Sequence, residues 1–461
     1  MARASARNLW PARALILVSC LGLAGALVAD WPGHFPPDAI QQLAQGRGGV
    51  FNLWHPPAMA WLLGLADHIS PDAASFFALD ATLFFAAFAA LALVDGAGWL
   101  AVVTAALIAA SPLVLIYQGL VVKDVLFADV SLAAFAAIAW AGKLWRVPLA
   151  RGALLALALL LLTLAALVRQ NGAVVAGVGV LTLAAVACAQ APRPARAQVL
   201  IAGALVAGAT IAAAVWLAGA WFTAHSDHEP ETARQWMTLE IYDVAGAIRR
   251  DPALPLPVLR AHAPALERFV TTVAAPRYDP ARIDPMLRAP GWDRRLKHPD
   301  PWARAQWRQL MSTAPTLYLE TRWSAFWQVL ATPRIAACAP VLVGVDPGDA
   351  RMLRAAGLAA RETDKDDWDG DYAASFLGSP VFSHLLYGAV ALVLLALAIR
   401  DVRRGRAELL ATVGLLAAAL AFTASFFVIS IACDYRYLYF LDVAAMAALV
   451  QRLALRGRLG S

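Results

Sequence analysis

Charged residues are scarce in this chain: Asp, Glu, Lys and Arg together make up only 15% of its 461 residues, while 61% are hydrophobic. A soluble globular protein of this size carries about a quarter charged residues and fewer apolar ones. The composition therefore excludes a cytosolic enzyme. The apolar residues come in blocks of membrane-spanning length, which also excludes a disordered or fibrous chain. The sequence predicts a polytopic membrane protein, with the lipid bilayer as its first partner.

Cysteine is also rare. The chain has four cysteines, and none of them has the CxxC or CxxH spacing of a metal site. Cys20 and Cys188 lie inside apolar runs, where cysteine behaves as a small hydrophobic residue. Only Cys338 and Cys433 lie in segments that can meet an oxidising compartment. The cysteine pattern therefore gives no metal signature.

The long apolar runs predict ten membrane-spanning helices. The first is expected to be retained rather than cleaved as a signal peptide, because its apolar run continues to Ala29. Lys and Arg concentrate in the connections on one side, the short turn 95–98 excepted, which places both termini in the cytoplasm. The same Lys and Arg residues account for the net charge of +6, so nucleic acid is not an expected partner. The predicted spans are 13–30, 74–94, 99–118, 124–142, 152–168, 172–190, 198–222, 381–399, 408–431 and 438–455.

Two predicted outer segments are long, and they divide the chain into three parts. The parts are an N-terminal transmembrane module, 1–222, with its first outer loop at 31–73; an outer, periplasmic domain, 223–380; and C-terminal transmembrane helices, 381–461. Apolar periodicity in the outer domain predicts helices at 231–250, 255–273 and 301–329. The acid-rich run 361–371 is predicted to be a solvated loop. The expected fold class is an all-α polytopic membrane protein with a mostly helical outer domain.

The first outer loop carries an acid and aromatic residues suited to a membrane surface. Asp38 lies in the first turn of a predicted amphipathic helix, where an acid suits the helix dipole, so a capping role and a catalytic role are both open. The run 52–65 (NLWHPPAMAWLLGL) joins paired prolines to an apolar helix, a pattern typical of a chain lying along the bilayer. Trp54 and Trp61 in this run are candidates to line a substrate site.

Further ionisable residues are predicted at the same face of the membrane: Lys123, Asp124, Arg169 and Arg436. Polar stops at helix ends, or an arginine reaching the interface, would explain the first three without a function. Arg436 lies in the last outer loop, run 434–439 (DYRYLY). Its neighbours Tyr435 and Tyr437 are aromatic residues that can hold an isoprenoid chain. A functional role is therefore favoured for Arg436.

Asp38, the run 55–62 (HPPAMAWL), Asp124 and the run 434–439 resemble, in type and order, the GT-C superfamily of polytopic glycosyltransferases. Its bacterial members are relatives of polyprenyl-phosphate-sugar and dolichyl-phosphate-mannose transferases. The resemblance implies a GT-C-like fold in a bacterial inner membrane. It also implies transfer of a sugar from a polyprenyl-phosphate donor to a glycan, lipid or protein acceptor of the cell envelope.

Roles for individual residues follow from this resemblance and from the chemistry of transfer. Asp38 is the expected general base, and Asp124 is the second catalytic acid. The developing charge on the departing phosphate calls for fixed cations at headgroup depth. The expected donor-phosphate residues are Arg436, Lys123, Arg169 and His55, and the expected substrate-lining residues are Trp54, Trp61, Tyr435 and Tyr437.

One cofactor is left open, a divalent metal ion, because histidine and carboxylate donors suit such ions. Its candidate ligands are His34, His55 and Asp124. Three acids fall inside predicted spans and are expected to be hydrogen-bond partners between helices rather than a proton relay. These are Asp80, Asp129 and Asp442.

Two rival functions remain open. An O-antigen polymerase or ligase also pairs about ten spans with one large outer loop, but it would depend on arginines of that loop rather than on Asp38. A lipid-linked-sugar flippase or other transporter would place its ionisable groups near the bilayer midplane. The predicted clustering of these groups at one interface favours a transferase.

Overall fold

The computed structural model describes residues 9–227, 231–297, 299–345 and 350–459, and it consists mainly of helices. In those residues the only β-type pairs are isolated bridges between loops. The helices are α1 Trp10–Asp30, α2 Pro37–Gly48, α3 Ala58–Asp67, α4 Ala74–Leu93, α5 Trp99–Ala109, α6 Pro112–Gly119, α7 Lys123–Lys143, α8 Pro148–Val168, α9 Gly172–Gln190, α10 Arg196–Ala224, α11 Glu231–Arg250, α12 Pro257–His262, α13 Pro264–Phe269, α14 Asp284–Leu287, α15 Trp292–Leu296, α16 Pro301–Thr313, α17 Pro315–Ala331, α18 Ala350–Ala356, α19 Asp364–Ala374, α20 His384–Arg403, α21 Leu410–Ile429 and α22 Tyr439–Leu459.

Within the described ranges, nine helices are long and apolar enough to cross a membrane: α1, α4, α7, α8, α9, α10, α20, α21 and α22. The chain is therefore a multi-pass membrane protein. The predicted span 99–118 is broken, because α5 and α6 meet at an angle of 56°. Pro112 has no amide hydrogen to continue the helix, and the Ser111 side chain accepts a hydrogen bond from the amide of Val114 to begin α6. Counted as one span, this bent pair is the tenth.

The centre of the helix bundle is α7. Almost all of its residues are buried, with α4, α8, α9, α21 and α22 packed around it. Its alanine-rich sequence lets neighbouring backbones approach closely, which is how helices associate without a hydrophobic effect to drive them together in lipid. The first residues of α7 are therefore held firmly at one end of the bundle.

That end of the bundle carries the long segment between α10 and α20. We call this segment, residues 225–383, the insert domain, and we call the end of the bundle beside it the domain face. Successive spanning helices run in opposite directions, so α1 ends, α7 begins, α8 ends and α22 begins at the domain face. Polar residues beside those four helix ends therefore share one side of the molecule.

The insert domain has two parts. Helices α11 to α17 enclose a hydrophobic core of their own, in which Tyr242 and Trp292 are fully buried. The second part packs on the bundle and its first loop, with α18 against α2 and α19 against α1 and α6. The second part therefore joins the insert domain to the loop that was predicted to hold the catalytic acid.

The helices of the insert domain match the predictions in part. The prediction 231–250 is confirmed by α11. The predicted helices 255–273 and 301–329 are each broken before a proline, Pro264 or Pro315, because the residue before a proline avoids the helical conformation. The predicted loop at 361–371 is wrong. It contains most of α19, which begins with a capping box in which Thr363 and Asp366 satisfy each other's backbone amides.

The two short helices of the first loop are in backbone contact. A Cβ atom at Gly46 of α2 would lie 2.3 Å from the carbonyl oxygen of Ala60, and one at Gly64 of α3 would lie 2.6 Å from the carbonyl oxygen of Gly46. Only glycine permits so close a crossing. The helix that has Asp38 in its first turn is therefore packed directly on the helix that carries Trp61.

Candidate active site

Ionisable side chains converge at the domain face from four helix ends. Asp38 lies in the first turn of α2 shortly after α1, Lys123 and Asp124 open α7, Arg169 follows α8, and Arg436 lies in a 3-10 turn before α22. Together with His55 they form what we call the charged cluster. Its two most distant members in sequence, Asp38 and Arg436, are 398 residues apart and in direct contact. The structure thus brings together all six predicted catalytic and donor-phosphate residues.

Arg436 is at the centre of the charged cluster. Its Nη2 atom donates to Oδ2 of Asp38 at 2.7 Å and to Oδ2 of Asp434 at 3.1 Å, and its Nε atom is 3.7 Å from Oδ2 of Asp124. The Nε and Nη1 atoms have no hydrogen-bond acceptor among the described residues, although both are buried. A buried guanidinium with unfilled donors is suited to an anionic ligand with several oxygen atoms.

Arg169 forms the second arginine contact of the cluster. Its guanidinium pairs with the fully buried carboxylate of Asp124 and is also surrounded by aromatic rings. The ring centroids of Phe422, Phe426 and Tyr437 lie 5.4, 5.5 and 5.4 Å from its Cζ atom. Cation–π contacts of this kind stabilise a desolvated guanidinium. The arginine is thereby held in place at the end of α8.

Lys123 and His55 also lie beside Asp38. The Lys123 Nζ atom donates to Nδ1 of His55 at 2.8 Å and lies 4.0 Å from Oδ2 of Asp38. An ammonium group has no lone pair to offer, so Nδ1 of His55 is the acceptor and its proton is on Nε2. That atom lies 3.8 Å from Oδ1 of Asp38. Burial, and next the charge of Lys123, lower the pKa of His55 to about 3, which keeps the imidazole neutral.

The carboxylate of Asp38 is ionised and remains accessible. Burial acts to raise its pKa, but the positive charges of Arg436 and Lys123 outweigh burial and hold the pKa well below its usual range. The side chain is still 31% exposed. Asp38 is therefore an anion that an incoming molecule can reach, while Asp124 behind it is closed off between two arginines.

The insert domain contacts the loop that carries Arg436 through an ion pair, a backbone hydrogen bond and a disulfide. The sequence did not predict these contacts. Arg282 pairs with Asp434, the second carboxylate on Arg436, and the amide of Cys433 donates to the carbonyl oxygen of Ala281 at 2.9 Å. A disulfide joins Cys433 to Cys338. The only sequence signal was that these two cysteines were the pair able to meet an oxidising compartment. No local pattern pointed to Arg282.

The predicted substrate-lining residues are divided between the surface and the interior. Trp61 is 44% exposed on α3, and Trp54 is partly buried beside the insert domain, where its carbonyl oxygen accepts from Gln235. Tyr437 packs against the guanidinium groups of both cluster arginines. Tyr435 differs, because it is fully buried with its ring stacked on His384 at 3.9 Å. It therefore does not line an open site.

The structure does not bring the predicted metal ligands together. Asp124 faces two arginines and His55 accepts from Lys123. His34 is fully buried elsewhere, with Nε2 3.0 Å from Oδ1 of Asp30. A different set has metal-like spacing among the described residues. It comprises Asp30, His34 and Asp369.

The predicted helix-to-helix roles of the acids inside spans are confirmed for two of the three. Asp129 of α7 accepts from Gln118 of α6 at 3.2 Å, and Asp442 of α22 lies 2.9 Å from His384 of α20. Asp80 is buried, and its Oδ1 atom has no hydrogen-bond partner in the described part of the chain. These acids lie apart from the charged cluster and are not assigned to it.

Comparison of the chain with protein-family models, with curated proteins and with solved structures gives no match.

Proposed function

We propose that the chain is a GT-C type glycosyltransferase that moves a sugar from a polyprenyl-phosphate carrier to an acceptor of the cell envelope. The observation that carries the proposal is the contact between an accessible, ionised carboxylate, Asp38, and a buried arginine with unfilled donors, Arg436. Both lie at one end of a membrane-spanning bundle, beside a helix with an exposed tryptophan. A transferase with a lipid-linked donor needs a base and a phosphate site side by side at that depth.

The phosphate of the donor would bind to Arg436. Its Nε and Nη1 atoms have no acceptor within the described residues, and each can donate one charge-assisted hydrogen bond to a phosphate oxygen. Lys123 lies 4.0 Å from the same carboxylate oxygen that Arg436 contacts, so it adds a second positive charge next to the phosphate position. Arg169 is paired with Asp124 and would act by keeping that acid from neutralising Arg436.

Donor binding would also activate the base. Arg436 donates to Asp38, and an ion-paired carboxylate is a weak base because its pKa is low. A phosphate that takes hydrogen bonds from Arg436 brings negative charge next to Asp38 and removes part of the positive field on it. The pKa of Asp38 then rises towards the range in which a carboxylate accepts a proton. Binding of the donor and readiness of the base are thereby coupled.

The transfer step is a displacement at the anomeric carbon. Asp38 takes the proton of the acceptor hydroxyl, whose oxygen forms the new bond to the anomeric carbon. The bond from that carbon to the phosphate oxygen breaks, and its electron pair leaves with the polyprenyl phosphate. Arg436 and Lys123 stabilise the charge that develops on the phosphate. A general base contributes about 10²–10⁴-fold to such a step.

The proposal places the domain face outside the cytoplasmic membrane and both termini in the cytoplasm. The Cys338–Cys433 disulfide supports this orientation, because structural disulfides persist in oxidising compartments. Single cysteines introduced near residues 195 and 300 can be labelled in intact cells with a membrane-impermeant maleimide. Labelling near 300 alone is expected. Labelling of both positions from the same side would refute the orientation.

Donor binding provides the direct test. Purified protein in nanodiscs is titrated with undecaprenyl phosphate, the headgroup and chain of the expected carrier. Arg436→Ala should weaken binding about 10–100-fold, the value of a charged hydrogen bond. Arg334→Ala is the matched control, because Arg334 also pairs with an acid, Asp279, but is 48% exposed and lies outside the cluster. Equal binding by wild type and Arg436→Ala would refute the phosphate role.

The rival functions predict other results. An O-antigen polymerase or ligase would lose activity when arginines of the insert domain are replaced, and it would keep its activity in the Asp38→Asn variant. A transporter would move a lipid-linked sugar without forming a new glycosidic bond. Detection of a glycosylated acceptor by mass spectrometry, dependent on Asp38, separates the transferase from both.

A further inference from the structure

A second group of ionisable side chains lies outside the charged cluster, between the end of α1, the first loop and α19. It consists of Asp30, His34 and Asp369, which are 1%, 0% and 2% exposed. Each offers one ligand atom, and these atoms lie within 4.8 Å of one another. Two segments of the chain supply them: Asp30 and His34 come from the end of α1 and the residues just after it, and Asp369 belongs to the insert domain. The proposed transfer mechanism gives none of the three a role.

The two carboxylates of this group are incompletely hydrogen-bonded. The Oδ2 atoms of both Asp30 and Asp369 are buried without a hydrogen-bond partner in the described residues. Asp366 adds a third carboxylate, 3.3 Å from Nδ1 of His34. Lys365 donates instead to the carbonyl oxygen of Val28. Buried anions with unfilled oxygen atoms are costly unless a cation compensates them.

We propose that Asp30, His34 and Asp369 bind a divalent transition-metal ion of the Zn²⁺ type. One imidazole nitrogen and two carboxylate oxygens form a mixed donor set of the kind that Zn²⁺ accepts, at distances of about 2.0–2.2 Å. Small side-chain movements close the three atoms on an ion. Water would be the fourth ligand; His34, but neither carboxylate, also lines a neighbouring cavity of about 260 Å³.

The surroundings of His34 fit such an ion after one proton shift. The amide of Gly344 donates to Nδ1 at 2.9 Å, so that a neutral imidazole has its proton on Nε2, facing Asp30. When the ion binds Nε2, the proton of the neutral imidazole moves to Nδ1, where Asp366 accepts it and the Gly344 amide gives up its contact. A carboxylate behind the imidazole is the arrangement that orients metal-bound histidines.

The ion would join the insert domain to the loop that leads into α2. His34 lies four residues before Asp38, and Asp369 lies on α19, so the metal would tie α19 to the segment that positions the proposed base. This role does not depend on the transfer reaction. The site can be tested by metal content and thermal unfolding alone.

The test uses the full chain in detergent, stripped with EDTA and titrated with Zn²⁺. Wild type should bind one ion per chain and unfold at a higher temperature when it is bound. His34→Ala and the isosteric Asp369→Asn should each weaken Zn²⁺ binding at least tenfold. The control is Asp367→Asn, a change of the same charge on the exposed side of α19. It should behave as wild type.

The Asp369→Asn variant tests the metal site even if His34→Ala fails to fold. If no metal binds, removal of a buried, unpartnered charge should raise the unfolding temperature with and without Zn²⁺. If the metal binds, the variant should lose the Zn²⁺-dependent rise that wild type shows. Absence of stoichiometric Zn²⁺ from wild type, or equal Zn²⁺ affinity in Asp369→Asn, would overturn the proposal.

Discussion

Replacing Asp38 by asparagine should separate catalysis from stability. The substitution removes the proposed base but leaves Arg436 with two carboxylates, Asp434 at 3.1 Å and Asp124 at 3.7 Å. Arg436 is therefore not left without a carboxylate, and Lys123 keeps its hydrogen bond to His55, so the large penalty of breaking a buried pair does not apply. Because Asp38 is 31% exposed, loss of its ion pair should cost less than the roughly 3–5 kcal/mol of breaking a fully buried pair.

The effect on rate should be much larger. Loss of a general base lowers the rate about 10²–10⁴-fold, which raises the activation free energy by about 3–5 kcal/mol. Donor binding should be unchanged or tighter, because the phosphate no longer competes with Asp38 for Arg436. The expected signature is therefore a large fall in turnover with intact folding and intact binding of undecaprenyl phosphate.

The assay measures sugar transfer from a polyprenyl-phosphate donor by purified variants, with donor binding and thermal unfolding on the same samples. Asp67→Asn is the matched control, because Asp67 is in the same loop and pairs with Arg47 at 2.7 Å, away from the charged cluster. Near-normal turnover in Asp38→Asn would refute the assignment of the base. A fall in donor binding that parallels the fall in turnover would show that Asp38 acts in binding instead.

Three further predictions concern stability. Asp243→Asn removes the carboxylate that pairs with the fully buried Arg322 and should lower the free energy of unfolding by about 3–5 kcal/mol. Glu240→Gln is the control: its partner Arg304 is 46% exposed, so the same unfolding assay should show a loss of about 0–1 kcal/mol. Because the pKa of His55 is lowered from 6.5 to about 3, its contribution to stability is present above pH 6.5 and is lost as the pH falls towards 3. His55→Gln should therefore flatten the unfolding temperature over that interval, and an unchanged acid limb would contradict this. Serine at both Cys338 and Cys433 should lower stability by about 2–5 kcal/mol and slow transfer, and unreduced peptide mapping should find the two cysteines linked.

The sequence was sufficient to predict which residues share the domain face. Each span reverses the direction of the chain. Once the spans are identified, the end of α1 and the beginnings of α7 and α22 must therefore lie at the same face of the bundle. Asp38 and Arg436 could therefore be placed at one face although 398 residues separate them. Whether their side chains touch depends on helix rotation, which apolar composition does not specify.

Rotation is also the reason for the different outcome at Tyr435. In a 3-10 turn, consecutive side chains point in directions about 120° apart, so Arg436 reaches the charged cluster while Tyr435 packs against His384 in the interior. The contacts from the insert domain were unpredictable for another reason. Arg282 meets Asp434 only because two distant segments dock, and no local periodicity encodes that docking.

The glycine contact between α2 and α3 makes the thickness of the lipid bilayer relevant to catalysis under the proposed function. Trp61 and Leu65 of α3 are 44% and 51% exposed, as expected of an amphipathic helix that lies in the membrane interface. With Gly46 and Gly64 in backbone contact, α2 and α3 cannot shift independently. A thinner or thicker membrane that changes the depth of α3 would tilt α2 with it and move Asp38 relative to Arg436, which is anchored to the bundle. Under the proposed function, the distance between the base and the donor phosphate would therefore depend on bilayer thickness.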